Sequence, residues 1–245
     1  MNALQAIRAL GPIDIRSVWR DSLLRWMFAL ALGLGFLLRW GIPPLSVKLA
    51  NDYSFDLVAY YPLVMSMMLP TLPILVGVII GFLLLDERDD RTLSALQVTP
   101  LTLRGYLIYR LTLPIVLSVV LTLAVFWIAD LVIVGAGQLL VAAVAAGLLA
   151  PIFALFLAGF ANNKVQGFAL SKANGVITIP PLAAWFVDEP WQWLFGIVPT
   201  YWPIKTFWQL QAGASDWGLY LAIAIVFQLG VMWLLVKRFE FVMRR

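Results

Sequence analysis

The sequence predicts an all-α integral membrane protein. It has six transmembrane helices, an N-terminal amphipathic helix in the interface, a short cytoplasmic helix after the second span, and re-entrant or interfacial helices on the outer face. Three observations carry this expectation. Of 245 residues, 62% are hydrophobic and only 12% charged, against roughly 45–50% and about 25% in soluble domains; the mean hydropathy is +0.92. Apolar runs of about 20 residues, enough to cross a hydrocarbon core, recur along the chain. Basic residues fall almost entirely on one side of those runs. A chain so poor in charge cannot cover itself with polar groups in water. Soluble enzymes, nucleic-acid binders and disordered proteins are thereby excluded.

In chain order, residues 1–23 read as an interfacial arm, broken at Gly11-Pro12. Ile15, Val18, Trp19 and Leu23 recur at helical spacing, with Arg16 and Arg20 off that stripe, a pattern that lies in the headgroup plane with its apolar face down. The spans follow at 24–42, 61–85, 107–127, 139–160, 169–186 and 217–236. The uncharged run 57–85 has no alternating polar positions, so these are helices rather than barrel strands. No small-residue cleavage site follows the first span, and more spans come after it, so a cleavable signal peptide is not expected.

The charges orient the chain. Arg8, Arg16, Arg20 and Arg25 precede span one; Arg88, Arg91, Arg104 and Arg110 lie between spans two and three. Lys164 and Lys172 follow span four, and Lys237, Arg238, Arg244 and Arg245 close the chain. Only Arg39, Lys48 and Lys205 fall on the other face, which also holds Asp52, Asp56, Asp130, Asp188, Glu189 and Asp216. The positive-inside rule makes the first face cytoplasmic, with both termini on it. A plasma membrane of bacterial type, crossed several times, is the expected location. The net charge of +4 is then a topology signal and not a nucleic-acid patch.

Tryptophans gather at the outer interface, where an apolar ring with a polar N–H is favoured. The stretch 188–212 is aromatic yet interrupted by Pro199 and Pro203, so it reads as an outer hairpin of one or two short helices. A seventh span there would place the basic C-terminus outside.

Candidate chemistry is narrowed by absences. The chain has no Cys and no His, which removes the usual ligands for zinc, copper and iron–sulfur centres and the usual thiol and imidazole catalysts. No Gly-Lys pair occurs, so no phosphate-cradling loop can form and the chain does not itself hydrolyse ATP. No cofactor or metal is expected on it. Small residues four apart, Gly77/Gly81, Ala143/Gly147 and Ala154/Ala158, read as helix-packing contacts. Pro70, Pro73, Pro114, Pro151 and Pro180-Pro181 each remove a backbone bond and invite a kink.

The densest cluster of charge is the segment 86–104. Asp86-Glu87-Arg88-Asp89-Asp90-Arg91 follows the end of span two, and Thr92-Leu93-Ser94-Ala95-Leu96-Gln97-Val98-Thr99 then runs to Pro100, which stops a helix. Leu93 and Leu96 form an apolar ridge too short to stand alone in water. It folds back on its own bundle or docks into another protein; a plain membrane-surface turn is the bland alternative.

The run 87–102 resembles the cytoplasmic signature of ABC type-2 permeases: an acidic and basic knot, Thr-Leu, a short leucine helix, Thr-Pro-Leu, then a basic residue in the third span at Arg110. Arg91 replaces the usual Gly and Ser94 the usual acid. The arm 14–21, the six-span layout and the outer aromatic hairpin resemble the same family. Residues 164–172 and 199–202 resemble a bacterial subgroup named for fluoroquinolone export. The resemblance implies the membrane half of an exporter, working with an ABC ATP-binding subunit that carries ATP and Mg, and paired with a second permease copy or paralogue. It implies that Thr92–Thr99 is a coupling helix. Glu87, Arg88, Arg91, Thr92, Leu93, Leu96 and Pro100 would make the contact with the ATPase. Glu87 would pair with an arginine of that subunit, or with Arg88 or Arg91.

Spans two and five line the pathway in that family, which implies Met65, Met68, Thr71, Asn174 and Thr178 as lining. Such a surface suits an apolar or amphipathic molecule or a membrane lipid. Two other functions fit the residues less well. An ion-coupled secondary transporter wants paired intramembrane charges and inverted repeats, and Asp130 at the outer end of span three is a poor start. A lipid-modifying enzyme wants a carboxylate cluster at the interface, which Asp86–Asp90 meets only loosely.

Overall fold

The computed structural model describes residues 22–89 and 103–243, and every regular element among them is helical. Helix α1 spans Ser22–Tyr53, α2 Tyr61–Asp89 and α3 Leu103–Ala129. A break at Leu148 separates α4, Ala136–Gly147, from α5, Leu149–Phe160. Then come α6, Lys164–Ile177, and α7, Ile179–Ala184; a 3-10 turn at Trp191–Ile197; α8, Tyr201–Gln211; and α9, Trp217–Met243. Five segments are long and apolar enough to cross a membrane: Phe28–Tyr53, Val58–Arg88, Arg110–Ala129, Ala136–Phe160 and Trp217–Val242.

Helix α2 is the axis of the bundle: 78% of its apolar window is buried, against 17% for α1 and for α9. Lacking a polar stripe, it is apolar all round, and such a helix belongs inside. Pro70 and Pro73 leave it unbroken, because neighbours on every side hold its shape. On one flank Leu72, Val76, Ile80 and Leu84 pack with Leu121, Val125, Ala150, Ala154 and Ala158. The other flank sets Ile74, Val78, Phe82 and Leu85 against Leu149, Ile152, Phe153 and Leu157. The two glycines of α2 set the closeness of that approach. A Cβ at Gly77 would meet the Ala150 carbonyl oxygen at 2.4 Å and the Phe153 Cβ at 2.9 Å, and one at Gly81 the Leu157 Cβ at 2.9 Å.

Three element ends differ from those the sequence predicts. The first helix does not stop near residue 42 but runs through Pro43 and Pro44 to Tyr53. These prolines free the carbonyls of Arg39 and Trp40; one turn on, Ser46 donates to the Pro43 carbonyl at 2.7 Å while Tyr61 donates to Ser46 at 3.1 Å. The fourth span is two helices, since Pro151 cannot bond back to Gly147; beside the break, the buried Gln228 of α9 donates to the Ala145 carbonyl at 3.0 Å. The stretch 169–186 is not one helix. Pro180 and Pro181 have no N–H for the carbonyls of Val176 and Ile177, so α6 ends at Ile177 and α7 restarts two residues later. The Thr200 hydroxyl donates to the freed Ile177 carbonyl at 2.7 Å.

Within the segment 188–212, α8 is packed into the bundle. Tyr201, Ile204, Thr206 and Phe207 of α8 are wholly buried. Phe207 meets Phe126 edge-on at 5.7 Å and joins Met65, Leu69, Ala142 and Ala146 in the core at the end of the bundle away from Asp86.

Candidate functional site

At the end of α2 the apolar run gives way to Asp86-Glu87-Arg88-Asp89, and each of the first three side chains reaches a different neighbour. Asp86 pairs with Lys164 at the start of α6 at 2.8 Å, with both side chains substantially exposed. Glu87 pairs with Arg110 of α3, whose side chain is only 6% exposed. Arg88 donates to the Ala158 carbonyl in the last turn of α5 at 3.2 Å, where a cation meets the negative end of that helix. The three contacts tie α2 to α3, α5 and α6 at one end of the bundle.

The contacts differ in weight. An exposed pair such as Asp86–Lys164 contributes about 0–1 kcal/mol. The Glu87–Arg110 pair is largely out of water, so removing one partner costs about 3–5 kcal/mol. Together they bracket the segment 90–102: it departs just after α2 and returns just before α3, and both flanking helices are fastened by that pair. Arg91, Thr92, Leu93, Leu96 and Pro100 lie outside the described residues. The Glu87–Arg110 pairing has no local signal in the sequence, because 22 intervening positions hide their proximity.

The five residues implied as pathway lining are distributed over the bundle. Met65 is fully buried in the core beside Phe126 and Phe207. Met68 is half-buried where that core meets the central one. The Thr71 hydroxyl donates to the Met67 carbonyl at 2.7 Å, and the Thr178 hydroxyl to the Gly175 carbonyl at 2.7 Å. Asn174 lies on α6, but its side chain is outside the described set. Ile74, one turn on from Thr71, and Ile177, next to Thr178, pack into one apolar cluster. Toward that α2–α6 seam the chain therefore offers methyl groups and hydroxyls already engaged with backbone. A shallow recess of about 470 Å³ lies elsewhere, lined by Leu123, Ala124, Trp127, Ala136, Leu139 and Leu140.

Two polar clusters sit at the other end. Arg39 donates to the Ile128 carbonyl at 3.1 Å and pairs with Asp130 at 3.4 Å, so Asp130 is an exposed partner at the end of α3. Lys205 on α8 is buried, pairs with Glu189, donates to Gln192 at 2.7 Å and lies 5.4 Å from the Tyr220 ring centroid. The signal for this second cluster was a lysine inside the aromatic run 201–208, which the charge count had treated only as an outer cation. Among the described residues, no group of His, Cys, Asp or Glu is placed to hold a metal.

Residues 14–236 match the family described as "Fluoroquinolones export permease protein Rv2686c-like". Over 243 residues the chain is 34% identical to the fluoroquinolones export permease proteins of two Mycobacterium tuberculosis strains, CDC 1551 / Oshkosh and H37Rv. Each alignment covers 96% of this chain and 94% of the relative. No solved structure matches the chain. The resemblance to ABC type-2 export permeases, read from the segment after α2, is borne out. The chain belongs to the Rv2686c-like family of fluoroquinolones export permease proteins.

Proposed function

We propose that this chain is the membrane subunit of an ATP-driven exporter, moving a hydrophobic or amphipathic molecule out of the cytoplasm or its leaflet. The relatives' name points to an aromatic amphiphile of the fluoroquinolone kind as the cargo class. In this reading α6 and α7 together make a broken sixth crossing. The basic face and both termini are cytoplasmic, and two permease subunits pair. ATP and Mg stay on the partner ATPase.

The observation that supports the reading best is the fastening of α2. A segment that receives a push from an ATPase is useful only if its two ends are fixed to the helices that must move. The Glu87–Arg110 pair fixes them to α2 and α3, and Asp86 and Arg88 extend the fastening to α6 and α5. Thr92–Thr99 is then the coupling helix, with Leu93 and Leu96 as its docking ridge.

The test is co-purification of the full chain with an ATPase subunit encoded beside it, comparing wild type with Leu93→Asp plus Leu96→Asp. Loss of the partner and of permease-stimulated ATPase activity is expected, with the permease itself still folded. If the double variant keeps both, the docking assignment is wrong.

A further inference from the structure

We propose that Lys237 and Arg238 at the end of α9 form a binding site for the headgroup of an anionic phospholipid in the leaflet at the Asp86–Lys164 end of the bundle. The proposal needs only a chain that spans a bilayer, and it stands apart from the transport reading.

The apolar run of α9 ends at Val236, and the next two residues are cations. Phe239, 1% exposed, fixes the rotation of the helix and leaves both cations on the outside. The Lys237 ammonium lies 3.6 Å from the Trp233 ring centroid, one turn back along the helix. The Arg238 guanidinium lies 5.3 Å from the Phe160 ring on α5 and 5.9 Å from the Phe241 ring. Its stem lies across the last turn of α5, where a Cβ at Gly159 would meet the Arg238 Cγ at 3.4 Å. Both cations are thus held over exposed rings at the level where an apolar helix meets headgroups.

Three other cations at this end have oxygen partners: Arg110 has Glu87, Lys164 has Asp86, and Arg88 has the Ala158 carbonyl. Among the described residues, no carboxylate pairs with Lys237 or Arg238. The nearest acid in sequence, Glu240, is half-buried on the same helix. Two adjacent cations with ring faces on one side and open space on the other complement a phosphodiester.

The surface below them fits the rest of the lipid. Val226, Gly230 and Trp233 follow Lys237 down one face of α9 at helical spacing, and Val226 and Trp233 are 71% and 57% exposed. Nothing lies within 4 Å of a Cβ built at Gly230, so the face carries a shallow slot with an apolar residue at each end. An acyl chain lies along such a slot while its phosphate stays at Lys237 and Arg238. A free phosphate would have no use for it.

The experiment is native mass spectrometry of the full chain in detergent micelles with equal amounts of phosphatidylglycerol and phosphatidylcholine of matched acyl chains. Wild type is expected to retain phosphatidylglycerol roughly 25-fold over phosphatidylcholine, about fivefold from each cation. The variant K237Q/R238Q should lose that preference, by about fivefold for each cation removed. The variant Lys172→Gln should keep it, and excess inorganic phosphate should not displace the lipid. Should the double variant fail to fold, K237Q and R238Q alone each report about a fivefold loss. Equal retention of the two lipids by wild type overturns the proposal. So does undiminished preference in the cation variants, or displacement by inorganic phosphate.

Discussion

Glu87, at the end of α2, holds Arg110 of α3 across the base of the segment 90–102, and the guanidinium is almost wholly out of water. A double-mutant cycle measures this directly. Glu87→Gln and Arg110→Met should each destabilise the detergent-solubilised protein in thermal unfolding. The two together should cost less than their sum, with a coupling of about 1–3 kcal/mol. Strict additivity would show the pair to be incidental.

The exposed neighbour offers the contrast. Lys164→Gln, which removes the partner of Asp86, is expected to cost no more than about 1 kcal/mol. The same unfolding assay, run beside the buried pair, separates the two contacts.

At the break between α6 and α7, Thr200 supplies what Pro181 cannot. Thr200→Val should therefore cost about 1–3 kcal/mol, the price of a buried carbonyl left without a donor, whereas Thr200→Ser should cost little. Pro181→Ala returns a backbone N–H to the Ile177 carbonyl, so it should restore part of the loss in the Thr200→Val background. Unfolding midpoints of the four proteins decide it. Absence of any rescue would mean that the hydroxyl acts elsewhere.

The approach of α2 to α5 allows no Cβ at Gly77, because backbone oxygen stands 2.4 Å away. Gly77→Ala should destabilise by about 1–3 kcal/mol as overpacking. Gly33→Ala on α1 meets nothing within 4 Å and should be neutral or gain up to about 1 kcal/mol from helix propensity. Thermal unfolding of both variants provides the comparison.

For the buried Lys205, the milder change is expected to be Lys205→Met. It removes the charge and the need for a partner together, whereas Glu189→Ala leaves an ammonium in α8 with Gln192 and the Tyr220 ring alone. Unfolding midpoints of the two variants should fall in that order.

Much of this architecture was legible because membrane helices announce themselves by run length. The axis helix, the third span and the last were readable as uninterrupted apolar runs, and Gly77 and Gly81 as a packing pair. The failures have a common physical cause. A proline marks a missing bond, but whether the helix bends, breaks or runs on depends on neighbours that arrive from elsewhere in the chain. Pro43-Pro44 sit in a helix that continues, while Pro180-Pro181 sit beside one that stops. The burial of α8 was hidden because Tyr, Trp and Lys are also the residues of an interface. In the candidate site the charged cluster was plain from residue order, but the pairing of Glu87 with Arg110 joins two helices and has no local signal.

The break at Thr178 also bears on the bilayer itself. Helices α6 and α7, of 14 and 6 residues, reach about 30 Å end to end only when collinear. The apolar segments of α1 and α9, 26 residues each, extend to about 39 Å. On the six-crossing reading, α6–α7 and the 20-residue apolar segment of α3 are both shorter than α1 and α9, and lipid accommodates such mismatch by thinning or by tilt of the longer helices. On that reading a membrane of greater thickness strains these two short sides before the long ones.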